Sequence, residues 1–324
     1  MKILDVRSFR FKNHLLFEEF YDILSKDENI EIRVYDDKNM KNIFAEQTIF
    51  FKKLLDDKND IIISFEESFP TLYKKDFILI LFIENILFPE NYNNSSFKKI
   101  VNNYITKKIT KNAKEMICFS EKTKNEINEK LNISKNNIKV FTPFFNKNSD
   151  LSSNINIKNK HSLSDYIIYD HNSSLIDLKK IINNIKLVNN KTNINIIFIN
   201  ELSQNLKIRQ YIVEQKIQDK VIFTEVKKEL KNYYKESLVV IVNYLNNIYS
   251  LSNRVYYDCP ILAPNLENII EIFQDKIAYY NRNSIADLME KILELQNKKE
   301  VNYNDIKEKY TTIKFIKNLK EIVI

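Results

Sequence analysis

Not one of the 324 residues is glycine, although an average usage of about 7% would place roughly 20 in a chain of this length. Only glycine enters the left-handed and mirror-β regions of backbone space without steric cost. Every tight turn and close backbone approach must therefore be built from Asn, Asp or Ser, or be altered. Tryptophan is absent too, and Lys, Asn and Ile are abundant. That bias fits AT-rich coding DNA, since glycine and tryptophan codons both carry two adjacent guanines.

The length suggests two domains of ordinary size, and a hydrophobic content of 44% is enough to fill two cores. Apolar runs such as "FILILFI" (77–83) fall far short of the roughly 20 residues that span a bilayer. The segment "MKILDVRSFRFKNH" lacks the apolar core and small-residue cleavage site of a signal peptide, so a cytoplasmic location is expected. Cys118 and Cys259 sit in apolar surroundings, "MICFS" and "DCPIL", and are expected to be buried free thiols. No metal-binding motif is visible. The net charge of +7 is spread as lysines interleaved with Glu and Asp. Such a surface suits anionic substrates or loose docking on an anionic membrane face, and no nucleic-acid motif accompanies it.

Short β-branched or aromatic runs alternate with longer amphipathic stretches, the pattern of α/β layers around parallel sheets. Strands are expected in "MKILDV", "IEIRVYD" (30–36), "DIIISF" (60–65), "FILILFI", "MICFS" (116–120) and "IKVFTP" (138–143). Helices are expected over 15–25, 97–113 and 121–131, the last with Ile127 and Leu131 one turn apart. The polar stretch "NKNSDLSSNINIKNK" (146–160) reads as an interdomain linker, with His161 inert beside it. A second series follows: strands "DYIIYD" (165–170), "INIIFIN" (194–200), "KVIFTE" (220–225), "LVVIVNY" (238–244), "PILAP" (260–264) and "KIAYY" (276–280). A helix over 284–295, capped by Asn283 or Ser284, comes next, and a single last helix near 305–319 closes the series. The expected division is 1–148, 149–304 and a C-terminal helix 305–324 returning to the first domain. Ligands are expected beyond the carboxyl ends of the strands, in a cleft between two such sheets.

The segment "NAKEMICFSEKTKNEINEKLNISKNNIKVFTPFF" (112–145) resembles the end of the N-terminal domain in group 1, family 4-like glycosyltransferases of the GT-B fold. Ala113, Ile117, Ser120, Thr123, Ile133, Ile138 and Val140 carry the match. "IDLKKIINNIKLV" (176–188), "VIFTEVKKELKNYYKES" (221–237) and "SLSNRVYYDCPILAPNLENIIEI" (250–272) resemble that family's donor-binding segments. The resemblance implies two Rossmann-like α/β domains whose parallel sheets face an interdomain cleft.

Departures from the family pattern fall in the last of these segments. The paired glutamates spaced by seven are missing, with Asn253 and Leu245 in their places, and "A-x-G" before the proline is shortened to "DC". Arg254, expected on the first turn of a helix beside Ser250, Ser252 and Asn253, is the candidate diphosphate clamp, since a guanidinium holds two phosphate oxygens at once. A salt bridge at the domain interface is its alternative role. In "YDHN", Asp170, His171 and Asn172 follow a strand, and His171 could bond a phosphate or assist proton transfer. The resemblance implies that Lys179 or Lys180 approaches the donor phosphates; two adjacent lysines can equally face solvent. Glu267 and Glu271, four apart, could accept sugar or ribose hydroxyls or form a plain surface face. Thr224 and Glu225 end a strand whose following loop lies along the base in the family. Glu66, Glu67 and Glu84 end strands of the first domain and are candidates for acceptor binding or, for Glu84, catalysis. His14 lies where the family has a Gly-rich turn, which cannot exist here in that form.

The implied activity is sugar transfer from a UDP- or GDP-linked donor to a glycan, lipid-linked or protein acceptor, with retention and without a metal or other cofactor. The implied setting is polysaccharide biosynthesis in the cytoplasm, at the inner face of the membrane, without nucleic acid as a partner. The alternative is a catalytically silent scaffold of the same fold that binds a glycan, a nucleotide or a partner glycosyltransferase.

Overall fold

A computed structural model describes residues 2–6, 25, 31–35, 48–49, 51–56, 61–64, 78–82, 108, 110–111, 113–141, 155–169, 179, 182–183, 186, 194–199, 206–224, 230–242, 251, 254–281, 283–295 and 301–323. The chain divides into two units, Met1–Thr142 with Ile313–Ile324, and Pro143–Thr312. The division falls between Thr142 and Pro143 rather than at 148/149.

In the first unit, strands β1 (Lys2–Val6), β2 (Glu31–Tyr35), β3 (Ile61–Ser64), β4 (Ile78–Phe82), β5 (Glu115–Cys118) and β6 (Ile138–Val140) form a sheet of order β2-β1-β3-β4-β5-β6. Every pairing in it is parallel. Parallel sheets are covered on both faces, which is why their strands read as unbroken apolar runs. Ile61, Ile62 and Ile63 of β3 and Met116, Ile117 and Cys118 of β5 are accordingly buried. The helix Glu121–Leu131 follows β5 and starts at Ser120, whose extended backbone lets its Oγ accept from the Thr123 amide at 3.0 Å. Ile127 and Leu131 turn inward. The expected helix over 15–25 lies outside the described residues except for Ser25, and that over 97–113 mostly does.

The second unit contains β7 (Asp165–Tyr169), β8 (Ile194–Ile199), β9 (Val221–Thr224), β10 (Val239–Ile241), β11 (Ile261–Pro264) and β12 (Ala278–Tyr280) in the order β12-β11-β10-β7-β8-β9, again all parallel. All six residues of β8 are buried, including Asn195, whose amide donates to the Asp165 carbonyl at 3.3 Å. One core joins Ile167, Ile196, Phe198 and Val221 to Ile208 and Ile212 of the helix Leu206–Glu214 and to Leu288 and Ile292 of the helix Ile285–Leu295. Ser284 caps the latter, its Oγ accepting from the Asp287 amide. Both cysteines are free and buried.

Two expectations need correction. The polar linker contains a helix, Ile157–His161, seated on the second unit by the wholly buried Ile157. Its Ile157 and Lys158 amides donate to Glu236 Oε2 at 3.0 and 3.2 Å, and Lys158 pairs with Asp165 at 2.8 Å. His161 is not inert, because its Nε2 lies 2.7 Å from the Tyr233 hydroxyl. The single last helix is two, Asn304–Lys309 and Thr312–Val323, separated where Tyr310 leaves helical geometry at φ −117, ψ 81. The first is tied into the second unit by Lys307–Asp258 and Lys276–Asp305 ion pairs, just after Tyr303 donates to the Cys259 carbonyl. Burial holds the Tyr303 phenol well above its ordinary range. From Ile313 onward the chain belongs to the first unit, where Phe315 meets Phe141 edge-on at 5.8 Å.

Asn132, Ser162, Lys216, Asp258 and Gln274 adopt positive φ among the described residues. Asn132 and Ser162 are helix C-caps near φ 57, ψ 47 and φ 54, ψ 45, where short polar side chains are tolerated. Gln274, at φ 47 and ψ −128, occupies a region that a Cβ atom opposes much more strongly. It is held there because its amide donates to Ile270 and its carbonyl accepts from the Tyr279 hydroxyl at 2.6 Å. Gln274→Gly should relieve this strain and raise stability by about 1 kcal/mol after the entropic cost of glycine. Urea unfolding of the two proteins checks this, and a loss of stability in the variant would contradict it.

Candidate functional site

In the second sheet the chain runs outward from β7 through β8 to β9, then returns to the other side of β7 as β10 and continues through β11 to β12. The strand order thus reverses between β7 and β10. At such a reversal, crossovers leave on opposite faces and open a crevice at the carboxyl ends of the strands. This places the candidate ligand edge of the second unit.

Three neighbouring aromatics lie near that edge. Tyr169 pairs in register with Phe198, and Phe198 with Phe223. Their rings meet edge-on at 5.8 Å and stacked at 5.4 Å, and the Arg209 guanidinium lies 4.6 Å over Phe223. The row stiffens the sheet beneath the edge. It could have been found from the aromatic closing each of "YIIYD", "IIFIN" and "VIFTE", once the strand order was known.

Thr224 is the last residue of β9 and half-buried, in register with Ile199. Glu267 and Glu271 share the exposed face of the helix Glu267–Phe273, which follows β11, while Ile269, Ile272 and Phe273 face inward. Glu267 in the first turn also complements the helix dipole. Lys179 is helical and half-buried in the crossover from β7 to β8, with its Nζ 4.6 Å from the Tyr211 ring centroid. Glu84, Asp170, His171, Asn172, Glu225, Ser250, Ser252 and Asn253 lie outside the described residues, as do His14, Glu66, Glu67 and Lys180.

Arg254 is helical, as is Leu251, and it is 4% exposed. Its Cζ sits 5.8 Å from the Tyr234 ring, which in turn packs on Tyr257 at 6.0 Å. Its carbonyl accepts from the Cys259 amide and thiol. Tyr234 stands in the helix Leu230–Glu236 that leads into β10, and Tyr257 and Cys259 lead into β11. These partners lie where strands begin, at the amino edge of the sheet. The always-charged guanidinium is accommodated in part by the negative face of the Tyr234 ring. Among the described residues, no group of three or more His, Cys, Asp or Glu side chains could hold a metal ion, and no helix is long and apolar enough to cross a membrane.

No protein-family model matches this chain. No curated protein matches it either. Solved structures resemble it over nearly its whole length. Anabaena HepE in complex with UDP-glucose superposes with a TM-score of 0.71 at 12% identity, covering 100% of this chain and 99% of that one. A glycosyltransferase from Rickettsia africae gives 0.66 at 14% identity, covering 99% and 97%. A putative UDP-N-acetylglucosamine 2-epimerase from Listeria monocytogenes gives 0.63 at 10%, covering 95% and 90%. At these identities the likeness establishes the fold, which is the GT-B type built from parallel-sheet, Rossmann-like units.

The placement of Arg254 makes a prediction. Arg254→Leu should lower the melting temperature by several degrees, from loss of the ring contact and of buried packing. Thermal melts of the two proteins check it, and an unchanged melting temperature would contradict it.

Proposed function

We propose that this protein is a glycosyltransferase that takes a sugar from a nucleotide-diphosphate donor, with UDP preferred to GDP. The observation that carries the reading is the full-length likeness to HepE, solved with UDP, with UDP and glucose, and with UDP-glucose, in a fold whose second sheet reverses order between β7 and β10.

In this reading the donor binds at the carboxyl edge of the second sheet. Thr224 and Glu225 lie along the base. Glu267 and Glu271 accept sugar or ribose hydroxyls. Asp170, His171, Asn172, Ser250, Ser252 and Asn253 surround the diphosphate with hydrogen-bonding groups, and Lys179 supplies positive charge. Breaking the bond between the anomeric carbon and the diphosphate oxygen leaves extra negative charge on the leaving group. Fixed cations and amides aimed there lower the barrier by favouring the transition state over the bound substrate. Transfer proceeds with retention and without a metal. The acceptor is a glycan, a lipid-linked sugar or a protein, and Glu84 of the first unit is the candidate catalytic carboxylate. Action in the cytoplasm, on the inner face of a membrane, suits the basic surface of net charge +7.

The likeness to a putative 2-epimerase supports a second reading, in which the same nucleotide-sugar is isomerised and no acceptor takes part. Proton NMR of the protein with UDP-glucose and with UDP-N-acetylglucosamine separates the two. Transfer predicts slow release of UDP and of the free sugar, its first-formed anomer matching the donor. Conversion of UDP-N-acetylglucosamine to its C2 epimer with no released UDP would favour the second reading. UDP at 100 times its Kd should stabilise the protein by about 2.7 kcal/mol. Absence of any response to UDP, GDP or their sugars would leave a scaffold without a donor site.

A further inference from the structure

Lys179 is both located and charged. Its ammonium rests 4.6 Å from the centroid of Tyr211, and the Tyr211 hydroxyl donates at 2.7 Å to Asn183 Oδ1. Asn183 stands one turn beyond Lys179 in the same crossover, so that crossover holds the ring by a hydrogen bond and lays its own lysine on the ring's face. Tyr211 is rooted in the helix Leu206–Glu214, where Ile208 and Ile212 are buried in the core. An aromatic face attracts an ammonium through its quadrupole but carries no net charge. The contact therefore restrains Lys179 without neutralising it, as a carboxylate partner would. The ring also takes one side of the ammonium only, leaving N–H donors for a second contact.

We propose that Tyr211 is a positioning residue, which holds Lys179 as an uncompensated cation for the diphosphate of the nucleotide donor. The proposal rests on the donor reading given above. Asn183 fixes the ring, the ring restricts the lysine, and the restriction lowers the conformational entropy lost when phosphate oxygens are bound.

Calorimetric titration of the full chain with UDP and with uridine tests this, using Lys179→Met, Tyr211→Leu, Tyr211→Phe and the Lys179→Met/Tyr211→Leu double variant. Tyr211→Leu should weaken UDP about fivefold and leave uridine unchanged, because only UDP carries the diphosphate. Tyr211→Phe keeps the ring face but loses its bond to Asn183, and should fall between the parent and Tyr211→Leu. The double variant should bind UDP no more weakly than Lys179→Met alone, since the ring acts through the lysine. Thermal melts confirm that each variant is folded, and if Tyr211→Leu is not, Lys179→Met alone must still weaken UDP and spare uridine. Unchanged UDP affinity in Lys179→Met or in folded Tyr211→Leu, or equal losses for UDP and uridine, would overturn the proposal while leaving the donor reading intact. Failure of the parent protein to bind UDP would overturn both.

Discussion

Parallel hydrogen bonding is the constraint from which the rest of this structure follows. All the strand pairings in both sheets are parallel. A parallel pair cannot be closed by a hairpin, so each strand is followed by a crossover that returns the chain to the opposite edge. Every strand of a sheet then ends on the same side, and that side collects whatever residues the sequence places after a strand. The position of a residue within its crossover becomes a statement about chemistry. Lys179 stands ten residues after the end of β7 and well before the start of β8, whereas Arg254 stands close before the start of β11. Although Arg254 carries the better phosphate-binding group, its packing partners lie where strands begin.

The absence of glycine bears on the turns far more than on the sheets. Parallel strands and their helices need no positive φ, so they assemble without glycine. The cost gathers at helix ends. Asn132 and Ser162 meet it cheaply, because a short polar side chain suits the left-handed region. Lys216 and Gln274 have no such advantage and are held by hydrogen bonds from the chain around them. A fold of long crossovers and few hairpins is thus well suited to a glycine-free sequence, since tight two-residue turns depend on glycine most.

The strands among the described residues were legible as short runs rich in β-branched and aromatic residues, most plainly where burial makes them nearly all apolar, as in β3 and β8, and the helix after β5 because Ser120 and the Ile127–Leu131 spacing mark its start and inner face. The helix Ile157–His161 was not legible. A single buried isoleucine anchors it, and its other restraints come from Glu236 and Tyr233, more than 70 residues away, and from Asp165. The break at Tyr310 was hidden because the helical period runs on across it, although the chain passes from one unit to the other just beyond, between Thr312 and Ile313. Arg254 and the Tyr211–Asn183 pair escaped for a related reason. Their partners lie on other crossovers, and which crossovers touch depends on a strand order that local sequence does not encode.

Arg254 and Lys179 also show how a ring and a carboxylate differ as partners for a cation. A carboxylate fixes a lysine and cancels its charge, leaving little field for a ligand to feel. An aromatic face fixes it more weakly, by about 0.5–1 kcal/mol at exposed sites, but leaves the charge whole. In a buried place such as that of Arg254, the ring serves to make a desolvated charge tolerable, and the result is structural. In a half-exposed place such as that of Lys179, the same contact restricts the cation while its field still reaches solvent. The interaction is one and the same, and exposure determines whether the cation's field is confined within the fold or reaches solvent.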